Sequence, residues 1–267
     1  MPPAASQSQP ISQPDNSGED SRRWGKVAAV PDEIRLLEGP QKRGNELARI
    51  FRITAELVKG FRALHFVGPC VSVFGSARFD NTHSYYELAR EIGRELGRAG
   101  FTVMTGGGPG IMEAANRGAR EAGVRSIGCN ITLPMEQKPN AYLDKWLEFR
   151  YFFVRKLMLV KYSYAFIALP GGFGTLDEMF ETATLIQTGK ISNFPLVLVG
   201  RDFWRPLVDF MREGMLERGT IAPGDVERFH ITDSARDAVE HVRDAAMQRF
   251  GLTYAAKQKR RWWFLER

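Results

Sequence analysis

Phe101-Thr102-Val103-Met104-Thr105-Gly106-Gly107-Gly108-Pro109-Gly110-Ile111-Met112 is a short apolar run that breaks into glycine and reopens as a helical pattern. The same arrangement recurs at Ala165-Phe166-Ile167-Ala168-Leu169-Pro170-Gly171-Gly172-Phe173-Gly174-Thr175. Each stretch reads as strand, glycine turn, helix. Such a turn exposes backbone N–H groups at the positive end of a helix, which suits a phosphate. Two of them in one domain point to a ligand held at both ends, with a phosphate at one.

Working outward, apolar runs alternate with helical patterns. Strands are expected near Cys70–Phe74, Phe101–Met104, Ser126–Asn130, Ala165–Leu169 and Pro195–Val199, with a short one near Phe229–Ile231. Helices are expected near Tyr85–Arg98, Ile111–Ala122, Phe153–Tyr162, Leu176–Thr188, Phe203–Glu217 and Ala235–Arg249. This alternation predicts an α/β fold, a Rossmann-like doubly wound parallel sheet with an extra N-terminal helical segment. Ligands in such sheets sit beyond the carboxyl ends of the strands. Both glycine clusters fall there, as does Gly75-Ser76 after the first strand.

The expected domains are a disordered tail at 1–30, a helical segment at 31–66, the sheet domain at 67–252 and a basic, aromatic tail at 253–267. In the helical segment Leu47, Ile50, Phe51, Leu57, Val58 and Phe61 form one stripe, expected to pack on the core or on a neighbouring subunit. The first 30 residues are rich in Ser, Gln and Pro, with no apolar segment of signal-peptide type. No apolar run is long enough for a membrane span. Two cysteines, Cys70 and Cys129, read as buried thiols, which fits a cytoplasmic location. The net charge is +6, but the last 13 residues carry five cations against the single anion Glu266. The rest is mildly basic, as suits a phosphorylated small molecule and not a nucleic acid.

Neither cluster is a dinucleotide fingerprint. Ile111 stands where the third glycine of G-x-G-x-x-G is needed, and no acidic residue follows about 20 positions on. Neither ends in the Lys-Ser or Lys-Thr of a triphosphatase loop. The four histidines, His65, His83, His230 and His241, lie outside the motifs, and no cluster has metal-ligand spacing. Neither a cofactor nor a metal is expected. Thr175-Leu176-Asp177-Glu178 has two readings: a capping box with Thr175 as N-cap and Glu178 at N3, or a carboxylate one turn into a phosphate-binding helix and facing a sugar. Both can hold at once. Arg155-Lys156 lies in the apolar run Tyr151–Val160, where a buried arginine needs an anionic partner.

Gly106-Gly107-Gly108-Pro109-Gly110-Ile111-Met112, then Arg155-Lys156, then Pro170-Gly171-Gly172-Phe173-Gly174-Thr175-Leu176-Asp177-Glu178 resemble the ordered motifs of the LONELY GUY (LOG) family, over roughly Cys70–Met247. That family comprises cytokinin-activating nucleoside 5′-monophosphate phosphoribohydrolases, often labelled lysine decarboxylases. The resemblance implies hydrolysis of the N-glycosidic bond of a purine nucleoside 5′-monophosphate, N6-isoprenylated adenosine monophosphates included, to free base and ribose 5-phosphate. It implies Glu178 and Arg155 as catalytic residues. Gly75, Ser76, Gly106, Gly107, Gly108, Gly110, Glu136, Lys156, Gly171, Gly172, Gly174, Thr175 and Thr184 are the implied substrate contacts, with Arg155 also anchoring the ligand. It also implies a homo-oligomer, dimeric or hexameric. A non-catalytic nucleotide carrier is the alternative. A pure binder has no need of a carboxylate beside an anionic ligand. A pyridoxal-dependent decarboxylase needs a Schiff-base lysine in a recognisable setting, and Lys156 alone does not supply one.

Overall fold

A parallel sheet covered on both faces buries its strands, and five of the seven strands are buried at every position. The computed structural model describes residues 42–132, 138–192 and 194–250, together with 36, 37 and 39. The expected tails at 1–30 and 253–267, and Glu136, lie outside the described residues.

In chain order the elements are α1 (Arg43–Leu64), β1 (Cys70–Phe74), α2 (Ser84–Arg98), β2 (Thr102–Thr105), α3 (Ile111–Glu121), β3 (Ser126–Ile131), β4 (Lys145–Phe149), α4 (Phe152–Tyr162), β5 (Ala165–Ala168), α5 (Phe173–Gln187), β6 (Leu196–Val199), α6 (Arg201–Asp209), a π-helical continuation (Phe210–Leu216), α7 (Pro223–Glu227), β7 (Phe229–Thr232) and α8 (Ala235–Phe250). All seven strands are parallel, in the order β4-β3-β2-β1-β5-β6-β7. The order reverses between β1 and β5, so a crevice opens beyond their carboxyl ends. Both β1 and β5 end there, one in Gly75-Ser76 and the other in Pro170-Gly171-Gly172.

Helices cover both faces. Leu64, Met158, Phe166, Met179 and Trp204 belong to one apolar cluster, which joins α1, α4, α5 and α6 to the sheet. Ile92, Leu96, Ile111, Val239 and Val242 belong to the other, with α2, α3 and α8. The doubly wound parallel sheet read from the sequence is therefore the fold. No described helix is long and apolar enough to cross a membrane.

Three features differ from the sequence reading. Strand β4, Lys-Trp-Leu-Glu-Phe, was not foreseen: it is an edge strand in which only Leu147 and Phe149 are buried, so it carries no continuous apolar run. The helix expected at Phe203–Glu217 begins at Arg201 and passes into a π-helix at Phe210. The stripe of α1 mostly faces outward. Leu47, Ile50, Phe51, Val58 and Phe61 are exposed, and it is Ile53, Leu57, Ala63 and Leu64 that meet the core.

Candidate active site

The first glycine loop is held from below. Gly107 N donates to Thr105 Oγ1, and Thr105 Oγ1 in turn bonds Asn116 Oδ1 at 2.6 Å. Asn116 is fully buried and also donates to Ser126 Oγ, while Asn140 Nδ2 reaches both Asn116 Oδ1 and Gly108 O. Gly107 has φ +75°, and a Cβ there would run into the Trp146 ring. Only glycine fits the position. None of the residues beneath the loop was singled out from the sequence, because an Asn one turn into a helix has no motif of its own.

The two loops and the end of β1 lock together. Ser76 N donates to Pro170 O at 2.9 Å, and Ile111 N donates to Ser76 O at 3.0 Å. The amide of Ser76 therefore ties the two central strand ends together. Gly75 is the close-packed member, since a Cβ on it would lie 2.5 Å from Ile111 Cγ2.

The second loop opens α5 three residues earlier than the capping-box reading requires. Gly172 is the N-cap, Thr175 N and Leu176 N close back onto Gly172 O, and Thr175 is the third helical residue. That places Glu178 in the second turn, too far along for an N3 partner. The first-turn N–H groups of α5 face outward from the helix end, as the geometry of any helix start demands. Gly172 and Gly174 have open space where a side chain would be, and Phe173 at the lip is 91% exposed.

Freed from capping, Glu178 is 1% exposed and pairs with Arg155, Nη1 to Oε1 at 2.6 Å. Arg155 Nε donates to Cys129 O within β3. A Cβ on Gly106 would lie 3.5 Å from Arg155 Nη2. One guanidinium thus touches β3, adjoins the first glycine loop and holds the carboxylate carried by the helix of the second. Glu178 Oε2 is buried and has no hydrogen-bond partner among the described residues. Burial pushes the Glu178 carboxyl above its ordinary range. The positive charges of Arg155 and Lys156 oppose the shift without cancelling it. A carboxylate with one oxygen pinned and one free, in a water-poor setting, is equipped to stabilise developing positive charge.

Lys156 points along the other side of α4 to Asp177 Oδ1 at 2.9 Å and Glu181 Oε2 at 3.1 Å. Burial pulls its ammonium down, but those two carboxylates outweigh burial, and the net shift is upward. Thr184 is exposed and donates to Phe180 O of its own helix. The Cys129 thiol is pushed up to about 12 by burial, so it is inert. Among the described residues no group of three or more His, Cys, Asp or Glu could hold a metal ion.

A family model described as "Possible lysine decarboxylase" matches residues 112–242. A cytokinin riboside 5′-monophosphate phosphoribohydrolase of Mycobacterium tuberculosis is 33% identical over 158 residues, covering 57% of this chain and 82% of the relative. An Arabidopsis thaliana protein of the same name, LOG3, is 30% identical over 182 residues, covering 66% of this chain and 82% of the relative. The solved structure of TM1055 superposes with a TM-score of 0.50 at 22% identity, over 66% of this chain and 99% of that one, a likeness of fold. With these relatives covered over most of their length, the chain belongs to the LONELY GUY family.

Proposed function

We propose that the protein is a hydrolase that cleaves the N-glycosidic bond of a purine nucleoside 5′-monophosphate, releasing the base and ribose 5-phosphate. The carrying observation is the buried Arg155–Glu178 pair, with its one unpartnered carboxylate oxygen, between two glycine loops at the switch point of the sheet. The 5′-phosphate binds the N–H groups of Gly171–Thr175 at the start of α5. The ribose and base lie toward Gly106–Gly110, with Gly75 completing the frame. As the base leaves, positive charge develops on the ribose ring, and Glu178 stabilises it or orients the attacking water. Arg155 keeps Glu178 ionised and oriented. The chemistry calls for no metal or organic cofactor.

Decarboxylation of lysine is the weaker reading. A Schiff-base lysine is activated by a lowered pKa, and Lys156 is shifted the other way and engaged by two carboxylates. The test is product analysis with AMP, a cytokinin riboside monophosphate and L-lysine. Free base from the nucleotides and no amine from lysine supports the hydrolase; the reverse contradicts it. The ratio of the two nucleotide rates decides whether cytokinin nucleotides are the natural substrates.

The same reading includes a homo-oligomer in the cytoplasm. Five exposed apolar residues of α1 and Phe152, Phe153 and Leu157 of α4 lie on two helices that pack against each other. An apolar face of this kind is suited to a second copy. Light scattering on the purified protein is expected to give at least a dimer, and a monomer at micromolar concentration would remove this part. Both described cysteines are free and buried, in keeping with a reducing compartment. Cell fractionation tests the location.

A further inference from the structure

The helix that presents Arg155 begins without a cap of its own. Tyr151 is the N-cap of α4, it supplies no side-chain hydrogen bond, and no acidic residue occupies the first turn. The backbone that leads into the positive end of α4, Arg150 and the N-cap Tyr151, is held instead by Glu56, which lies on α1 and 94 residues away from Arg150 in sequence. Glu56 Oε1 and Oε2 accept the N–H of Arg150 at 3.0 and 3.1 Å, and Oε2 accepts that of Tyr151 at 3.4 Å. Arg155 follows one turn later, with its own N–H on Tyr151 O at 3.2 Å.

The rest of α1 is stitched to the same β4–α4 unit. Lys59 Nζ donates to Glu148 O at 2.8 Å, Lys145 Nζ donates to Ala63 O, and Tyr162 Oη donates to Phe61 O at 3.2 Å. At Gly60 the helices meet so closely that a Cβ would lie 2.6 Å from Met158 Sδ.

We propose that Glu56 is a positioning residue for the Arg155–Glu178 pair. It fixes the start of α4 and thereby the approach of the Arg155 guanidinium to Glu178 Oε1. This rests on the reading of that pair as the reacting machinery. It gives α1, which precedes the first strand of the sheet, a part in turnover. The groups facing Glu178 are Arg155 and Lys156 from α4, Glu181 from its own helix and the Cys129 thiol from β3. When α4 shifts, Arg155 is the one whose contact with Glu178 is direct, and its retreat lets the carboxyl titrate higher.

The experiment compares Glu56→Ala, Glu56→Gln, Lys59→Ala and Arg155→Ala by kcat, KM, the pH dependence of kcat and melting temperature. Glu56→Ala is expected to lower kcat roughly ten- to a hundredfold, the scale of a small misplacement at a reacting centre. KM should change far less, and the acid limb of the profile should move to higher pH. Glu56→Gln keeps one acceptor oxygen and should recover part of the rate. Lys59→Ala loosens α1 without touching the start of α4, so it should lower the melting temperature and leave the acid limb in place. A Glu56→Ala protein with wild-type kcat and pH profile would reduce Glu56 to a structural cap. An equal shift of the acid limb in Lys59→Ala would make the effect a general loosening of α1. Should Glu56→Ala fail to fold, Glu56→Gln carries the same test: an unchanged rate and acid limb overturns the proposal. Normal turnover in Arg155→Ala would instead remove the reacting pair itself, which separates failure of the proposal from failure of the reading beneath it.

Discussion

Glu178→Gln separates electrostatics from architecture at the centre of the site. The side chain is nearly isosteric, so packing around α5 is kept, and its amide oxygen can still accept from Arg155 Nη1. Two stability effects then oppose each other. Deleting one partner of a buried ion pair costs about 3–5 kcal/mol. Gln, however, replaces the charge with a dipole and does not leave a void, and it removes an ionised group that burial already disfavours. The residue is 1% exposed, so the relief is real. The expected net loss is about 1–2 kcal/mol, close to that of one hydrogen bond weakened from charged to neutral. For a chain of 267 residues that lowers the melting temperature by only a few degrees, at roughly 2–4 °C per kcal/mol. Turnover responds to a different quantity. The negative charge beside the ribose is gone, and losing one preorganised electrostatic group costs about two to three powers of ten. The assay is single-turnover base release from AMP, measured beside AMP affinity and thermal melting. A well-folded Glu178→Gln protein that binds AMP and releases base at near-normal rate would refute the assignment and leave Glu178 a structural partner of Arg155.

Four further outcomes follow from the geometry. Adenosine should be turned over more slowly than AMP by roughly two to four powers of ten, because charge-assisted hydrogen bonds at the α5 start are lost; equal rates would move the phosphate elsewhere. The acid limb of the rate should lie above the ordinary carboxylate range, since ionised Glu178 is the working form and burial raises its pKa. The linked stability effect has the opposite sign: the folded state binds that proton more tightly than the unfolded chain, so stability falls as pH rises from the usual carboxylate pKa through the raised one, and a melting series over that window checks it. Activity should survive dialysis against EDTA, because the described residues offer no ligand cluster; loss restored by zinc or magnesium would reveal a missed site. Gly107→Ala should cost at least 1–3 kcal/mol, from its φ of +75° together with the collision with Trp146, and should depress turnover by displacing the loop.

How far the sequence could be read depended on how local each signal was. The two glycine turns announce themselves because strand, turn and helix are contiguous, and the parallel sheet follows from their repetition. Arg155 could be matched to an anionic partner because a guanidinium in an apolar run demands one. Thr175-x-x-Glu178 was misleading as a capping box, since the same four residues read as a cap whether the helix starts at Phe173 or at Leu176. Strand β4 escaped because an edge strand needs only alternate residues to be apolar. Glu56 and Asn116 escaped for a different reason: the partners of Glu56 at Arg150 and Tyr151, and those of Asn116 at Thr105, Ser126 and Asn140, become neighbours only after the chain folds, and no spacing encodes them. The α1 stripe was legible as a helix, but which face met the core was not, because Leu57 and Leu64 are no more apolar than Leu47 and Phe51.

The most direct test of the account is the identity and ratio of the products when purified protein is incubated with AMP. Free adenine and ribose 5-phosphate in equal amounts, with neither adenosine nor inorganic phosphate, is the predicted result. Adenosine with inorganic phosphate, or AMP that binds tightly and is returned unchanged, would contradict it.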